Sequence, residues 1–302
     1  MIWQVFATLC SVSYAFQNLA VKGLNRRRVS SINVLWYMFA AAVPILLVFY
    51  RTLAVPGIEP LFPVYLGLGV TINIFSFYGY VRAIELTDVS LVSPLLSLSP
   101  LFMLFTSWVM LDELPDLMGL LGVLAIVVGT YFLSRTKGGS GLEPFRRLLQ
   151  DPGVIWALVV SMVWSITANI DKLAVRTSTP ITYAFWFHAL FAILFTPIFL
   201  VLRDNKIFTG ENADKSSFKG FIPPIYLVGG GLLAVGVLQA VMSATQMIAV
   251  IRTKVTYVIA IKRAGMLISV LGGGFLFKER NTGRRFFAAT LVFVGLIGIM
   301  FR

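Results

Sequence analysis

Cysteine and histidine are almost missing from this 302-residue sequence: Cys10 and His188 are the only ones. A single cysteine excludes an intramolecular disulfide and any metal cluster built on thiolates. Charge is scarce as well, at 13% of residues, where a soluble domain carries about 25%. Acidic side chains are the scarcer kind, with 13 Asp and Glu against 25 Lys and Arg, a net charge of +12. In a soluble chain that excess would point to nucleic acid, but here the cations fall between long hydrophobic runs and read as topology charge. Those runs are what the sequence has in abundance: 58% of residues are hydrophobic and the mean hydropathy is +0.87. Lipid is the expected solvent. The first run, Ile2 to Ala20, is read as a helix and not as a secretory signal, because its cations follow the apolar part.

The runs are about twenty residues long, the length needed to cross a hydrocarbon core of roughly 30 Å. Runs and breakers together predict ten helices, at about residues 2–22, 31–50, 62–86, 88–111, 117–134, 154–174, 180–202, 222–247, 250–277 and 285–301. The third and fourth are joined so tightly, through Glu85 to Asp88, that they must run antiparallel, and the link around Arg252 is similar. Two connections are long: Ser134 to Gly153, with the flexible stretch Gly138-Gly-Ser-Gly141, and the polar loop Arg203 to Gly220.

The chain also repeats itself. Leu19-Ala-Val-Lys22 returns as Leu173-Ala-Val-Arg176, Pro44-Ile-Leu-Leu-Val48 as Pro197-Ile-Phe-Leu-Val201, and Pro63-Val-Tyr-Leu66 as Pro224-Ile-Tyr-Leu227. Leu111-Asp-Glu113 with Gly129 matches Phe277-Lys-Glu279 with Gly295, sixteen residues from Glu to Gly both times. The expected fold is therefore an all-α membrane protein of two five-helix repeats, 1–137 and 154–302, around a linker at 138–153. Five is odd, so the second repeat enters the bilayer from the opposite side, the inverted arrangement that secondary transporters use.

The stretch Ala83-Ile-Glu-Leu-Thr-Asp-Val-Ser through Pro100-Leu-Phe to Leu111-Asp-Glu113, then Gly122 and Gly129, resembles the signature of the drug/metabolite transporter superfamily, EamA-type carriers. The resemblance implies a central cavity between the halves and alternating access without ATP hydrolysis. The second half departs from it: Ala264 stands near the position of Pro100, and Ala288 replaces the glycine corresponding to Gly122. The distribution of cations and the family resemblance imply opposite orientations. Seventeen Lys and Arg lie in or beside the links after the odd-numbered helices and six on the other side, which puts the termini outside. The family resemblance implies termini in the cytoplasm. A narrower resemblance, Ile261-Lys262-Arg263 in the ninth helix, is similar to the Lys-Arg pair of sugar-phosphate and nucleotide-sugar members, and Lys172 to a further basic position in those members.

Candidate site residues follow from charge and polarity inside predicted spans. Lys262 and Arg263 are adjacent cations, each costing roughly 2.5–3.5 kcal/mol at the centre of a bilayer, so a functional role is the default reading. An anionic group is their natural ligand, Arg offering a bidentate fork and Lys a point charge. The plain alternative is a structural pairing with carbonyls or acids. Lys172, Asn73 and Gln239 are further candidates for substrate binding, Gln246 for lining the cavity, and Asp171 and His188 for proton coupling. Glu113 and Glu279 are read as surface turn residues, and Gly229-Gly-Gly231 and Gly272-Gly-Gly274 as packing glycines, since no P-loop lysine follows. No cofactor or metal is expected. The expected partners are a small-molecule substrate and membrane lipid, without nucleic acid; a homodimer is left open, and the expected location is a bacterial inner membrane. The leading function is secondary transport of a small organic solute, preferably an anion such as a phosphorylated sugar or carboxylate. Export of neutral metabolites, an intramembrane enzyme and a non-transporting sensor are the alternatives.

Overall fold

The structure is a computed structural model that describes residues 2–26, 29, 31–52, 57–87, 89–134, 151–202, 225–277 and 282–301. These residues form eleven helices and no strand: α1 Ile2–Arg26, α2 Ser31–Thr52, α3 Phe62–Leu86, α4 Val89–Leu96, α5 Ser99–Leu111, α6 Leu117–Ser134, α7 Pro152–Arg176, α8 Pro180–Leu202, α9 Ile225–Val250, α10 Val255–Phe277 and α11 Thr282–Met300. Glu279, Arg27, Arg28, most of the linker and the Arg203–Gly220 loop lie outside the described residues.

Ten helices become eleven because the fourth predicted helix is broken. Pro100 has no N–H to offer the Leu96 carbonyl, so the α-helical ladder cannot pass through it. The chain closes short turns instead: Leu98 N–H bonds Leu95 O at 3.1 Å and Ser97 Oγ donates to Pro94 O at 2.6 Å. With Ala264 near the equivalent position, α10 runs unbroken from Val255 to Phe277. It also begins five residues later than the sequence reading had it. Lys262 therefore lies only ~10 Å along the helix from its start, at 1.5 Å per residue, about a third of the way through and not at its middle.

The packing repeats across the two halves. α1 packs on α9 and α3 on α7, which are equivalent pairs, while α2 packs on its own counterpart α8 and α6 on α11. The α6–α11 contact explains the paired glycines of the sequence. A Cβ on Gly122 would stand 2.8 Å from Gly295 O, and one on Gly295 would stand 2.6 Å from Gly122 O. Gly129 meets Ala288 O in the same way, at 2.8 Å. Residue numbers rise along one helix as they fall along the other, so the counterparts are antiparallel, and each glycine position meets its partner reciprocally, as a two-fold axis requires. Without side chains the backbones approach to contact, the usual way of joining helices when lipid removes the hydrophobic drive. The α2–α8 contact is aromatic: Trp36 stacks on Phe199 and bonds Thr196, and Phe39 stacks on Phe191.

The helices traverse the molecule alternately, which sorts their ends onto two faces. On the face carrying both termini, Gln4 Nε2 donates to Met300 O, Glu59 N–H to Thr177 O, and Lys254 Nζ to Leu114 O. On the opposite, linker face, Thr87 Oγ1 donates to Asp151, which also caps α7 through Gly153 N–H. Among the described residues six segments are long and apolar enough to cross a membrane: Asn33–Thr52, Phe62–Tyr80, Pro94–Leu111 across the α4–α5 break, Pro152–Arg176, Pro180–Val201 and Gly229–Val250. The outward surface is correspondingly apolar, with Phe105, Val109 and Ile193 among its exposed side chains.

Candidate functional site

Between the halves lies a cavity of about 400 Å³, lined from every helix except α4, α6 and α11. On the linker side it reaches Val21 and Val34, at the α1–α2 turn; toward the termini face it ends at Asp171, Tyr183 and Ile259. Aromatic rings form much of the wall, including Tyr14, Phe39, Phe77, Tyr80, Trp164 and Phe187.

Lys262 and Arg263 both reach this cavity from α10. Lys262 Nζ donates to Gln246 Oε1 at 2.8 Å and lies over the Tyr14 ring. Arg263 donates from Nη1 to Tyr14 Oη at 3.3 Å and from Nη2 to Ser99 Oγ at 3.2 Å, and its guanidinium lies 5.3 Å over the Trp164 ring. Every one of these oxygens is neutral. Among the described residues no carboxylate lies within 4.0 Å of either cation, and the buried Arg263 Nε has no partner at all. Ser99 is in place because the chain breaks there: the turn before α5 delivers its hydroxyl to the guanidinium, so the Pro100 interruption and the cation are one arrangement.

Asp171 lines the cavity from α7, with Oδ1 accepting from Tyr183 Oη at 2.5 Å. His188 is buried on α8, between the Phe39 and Phe187 rings. Its Nδ1 faces Ala184 O at 2.7 Å, a carbonyl that can only accept, so Nδ1 carries the proton. Nε2 then accepts from Gln239 Nε2 at 3.0 Å, and Gln239 Oε1 accepts from Gln17 Nε2 at 2.8 Å. The amide orientations, assigned from the network, agree along the whole relay, which suits a neutral imidazole. Asn73 also lines the cavity, its Nδ2 bonded back to Gly69 O at 2.8 Å.

Lys172 is placed elsewhere. It is 3% exposed, bonds Thr253 O at 2.6 Å and pairs with Glu113 at 2.6 Å. It lines a second pocket on the termini face, while its neighbour Asp171 lines the central one. Adjacent residues on a helix point about 100° apart, so one dipeptide lines both pockets. Glu113 is not the surface turn residue the sequence indicated. Its side chain is only 13% exposed and bonds to both α7 and α10. Of the glycine run at 229–231 only Gly231 packs, against Leu24; Gly229 and Gly230 face open space.

Sequence reasoning passed over Tyr14, Gln17, Ser99, Trp164 and Tyr183. Gln17 had a signal available, since the repeat that aligns Leu19 with Leu173 also aligns Gln17 with Asp171. The others are ordinary residues whose polarity or ring face matters only because of what the fold sets beside them.

The comparisons with known proteins agree with this architecture. The model of the EamA-like transporter family matches twice, at residues 1–135 and 151–301. A solved structure titled "Crystal structure of protein" shares the fold, with a TM-score of 0.68 at 14% identity, over 98% of this chain and 96% of that one. No curated protein matches the sequence. Two family matches, one on each half of an all-helical chain with glycine-mediated two-fold contacts, lead to one conclusion: the chain belongs to the EamA-like transporter family, the multi-pass membrane proteins that carry small solutes.

Proposed function

We propose that the cargo is a small organic anion, such as a phosphorylated sugar or a carboxylate, bound in the central cavity by Lys262 and Arg263 and moved by alternating access. The observation that carries this reading is a pair of cations in the cavity held only by neutral oxygens, with Arg263 Nε unpartnered. Placing two such charges within a span costs several kcal/mol even on the gentler insertion scale, and no carboxylate among the described residues comes within 4.0 Å to return that cost; Asp171, lining the same cavity, is turned to Tyr183. An acid group on the solute would return it. Trp164, lying over the guanidinium, orients the fork it presents to the ligand. Asn73 adds a polar contact from the facing wall. Gln239 has both ends of its amide engaged and acts by holding His188 in place.

For coupling, Asp171 is the stronger of the two candidate proton carriers. Oδ2 has no partner among the described residues, whereas both nitrogens of His188 are committed. Uptake into proteoliposomes from a panel of anionic and neutral solutes tests the reading. A carried anion whose uptake falls at least tenfold in Lys262→Ala and in Arg263→Ala supports it. Normal uptake of the carried solute by both variants would falsify the anion site.

A further inference from the structure

The pocket on the termini face has a volume of about 660 Å³ and is lined by Trp3, Glu113, Lys172, Arg252, Lys254 and Tyr257 among others. Three lysine and arginine side chains line it and Arg176 pairs with Glu113 beside it, against the carboxylates of Glu113 and of Asp116, which accepts from the lining Tyr257. The Glu113 carboxylate is unusually well bound. Oε1 takes Lys172 Nζ at 2.6 Å and Arg176 Nη2 at 3.1 Å, and Oε2 accepts the N–H of Val255, the first residue of α10, at 3.2 Å. Two cations and an orphan amide at a helix N-terminus are the components of an anion site. Here the anion is a side chain of the protein.

Glu113 reaches this position because of the turn before it. Asp112 adopts the left-handed conformation, φ 55°, and Glu113 N–H bonds back to Ser107 O at 3.1 Å. The turn carries the carboxylate off the end of α5 and across to α7 and α10. Lys172 shows how much depends on it: at 3% exposure, its ammonium has only Glu113 and Thr253 O for partners among the described residues. Along α7 the two pockets are lined by adjacent residues, Lys172 here and Asp171 in the central cavity.

We propose that the termini-face pocket contains a second anion site, formed by Lys172, Arg176 and the N-terminus of α10, which Glu113 fills as a tethered anion and from which a passing anionic solute displaces it. Because the same carboxylate joins the ends of α5, α7 and α10, displacement also unlatches that face. The site itself stands on Glu113 and its partners; only the identity of the displacing solute rests on the anion reading of the central cavity.

Chemical rescue tests it in the full-length protein. Glu113→Ala removes the tethered anion and leaves its space and its donors, so acetate or inorganic phosphate should take its place. The melting temperature of Glu113→Ala is expected to fall and then to recover most of the loss in millimolar acetate or phosphate. The parent, whose tethered carboxylate competes with the added anion, is expected to move less in the same additions at matched ionic strength. Lys172→Gln added to Glu113→Ala abolishes the recovery. The rescue persists in a Lys262→Ala, Arg263→Ala background, which separates it from the central site and from any failure of the uptake experiment. A Glu113→Ala response no larger than the parent's, or a rescue that survives Lys172→Gln, overturns the proposal. A Glu113→Ala protein recovered monodisperse only with acetate present counts as rescue. If it is recovered in neither buffer while Glu113→Gln is recovered in both, side-chain volume holds the site and the proposal fails.

Discussion

Adding one methyl group at the α6–α11 crossing gives a quantitative test of the inverted-repeat architecture. Gly295→Ala places a Cβ 2.6 Å from Gly122 O, where ordinary contact begins at 3.4 Å, so the helices must separate by about 0.8 Å. The opposing atom is backbone and cannot rotate away. Overpacking of this kind costs about 1–3 kcal/mol, a fall of several degrees in the melting temperature. Gly122→Ala meets Gly295 O at 2.8 Å and should cost nearly as much, because the contact is reciprocal. The double variant should cost less than the sum, since once the first methyl has parted the helices the second finds room; residues in one contact are coupled in this way. Gly229 and Gly230 provide the control. A Cβ there meets nothing within 4 Å, so Gly→Ala should be neutral or gain up to about 1 kcal/mol in helix propensity. Thermal unfolding of the purified protein in detergent, followed by loss of monodispersity, reads all five variants. A Gly295→Ala protein as stable as Gly229→Ala, or costs of Gly122→Ala and Gly295→Ala that simply add, would rule out the close α6–α11 contact.

Other consequences are as direct. Asn169, fully buried on α7, donates to Thr106 Oγ1 and Ser165 O and accepts from Ser107 Oγ, stitching α7 to α5. Asn169→Ala should lower stability by about 1–2 kcal/mol, near the upper end for hydrogen bonds between membrane helices; an unchanged melting temperature would count against that network. Glu113→Gln, by weakening the closure of the termini face, should speed reaction of a cysteine at Ser243, on the wall of the central cavity, with an impermeant thiol reagent applied from that face. The native Cys10 is replaced by alanine for that measurement, and equal labelling rates with Glu113 and with Gln would show that the carboxylate does not hold the face shut. Pro100→Ala restores an N–H for the Leu96 carbonyl and should draw Ser99 back into a continuous helix, away from Arg263. Uptake of the carried solute should then fall without loss of the folded protein, and uptake equal to the parent's would separate the helix break from the site.

The repeats, the span lengths and the two cations of the ninth predicted helix were legible in the chain because each is a local pattern. Runs of about twenty apolar residues are set by the thickness of the bilayer, and charges inside such runs stand out against their surroundings. The glycines at 122, 129 and 295 were legible as a repeat but not as a contact, since a missing side chain says nothing about which backbone fills the space. The break at Pro100 was also visible as a proline. What it achieves was not, because Ser99 and Arg263 are 164 positions apart in sequence.

Composition and periodicity thus determined, by themselves, a lipid-embedded helical chain in two repeated halves, with cations where cations are costly. Tertiary structure alone decided how those charges are used. It left Lys262 and Arg263 in a cavity with no carboxylate among the described residues within 4.0 Å of either, and it turned Lys172, one residue from a cavity wall, away from that cavity to meet Glu113. The reason is geometric: sequence fixes the kind of a charge and the helix that carries it, while its depth follows from where that helix begins and its partner from helix rotation and crossing, which depend on contacts between residues far apart in the chain.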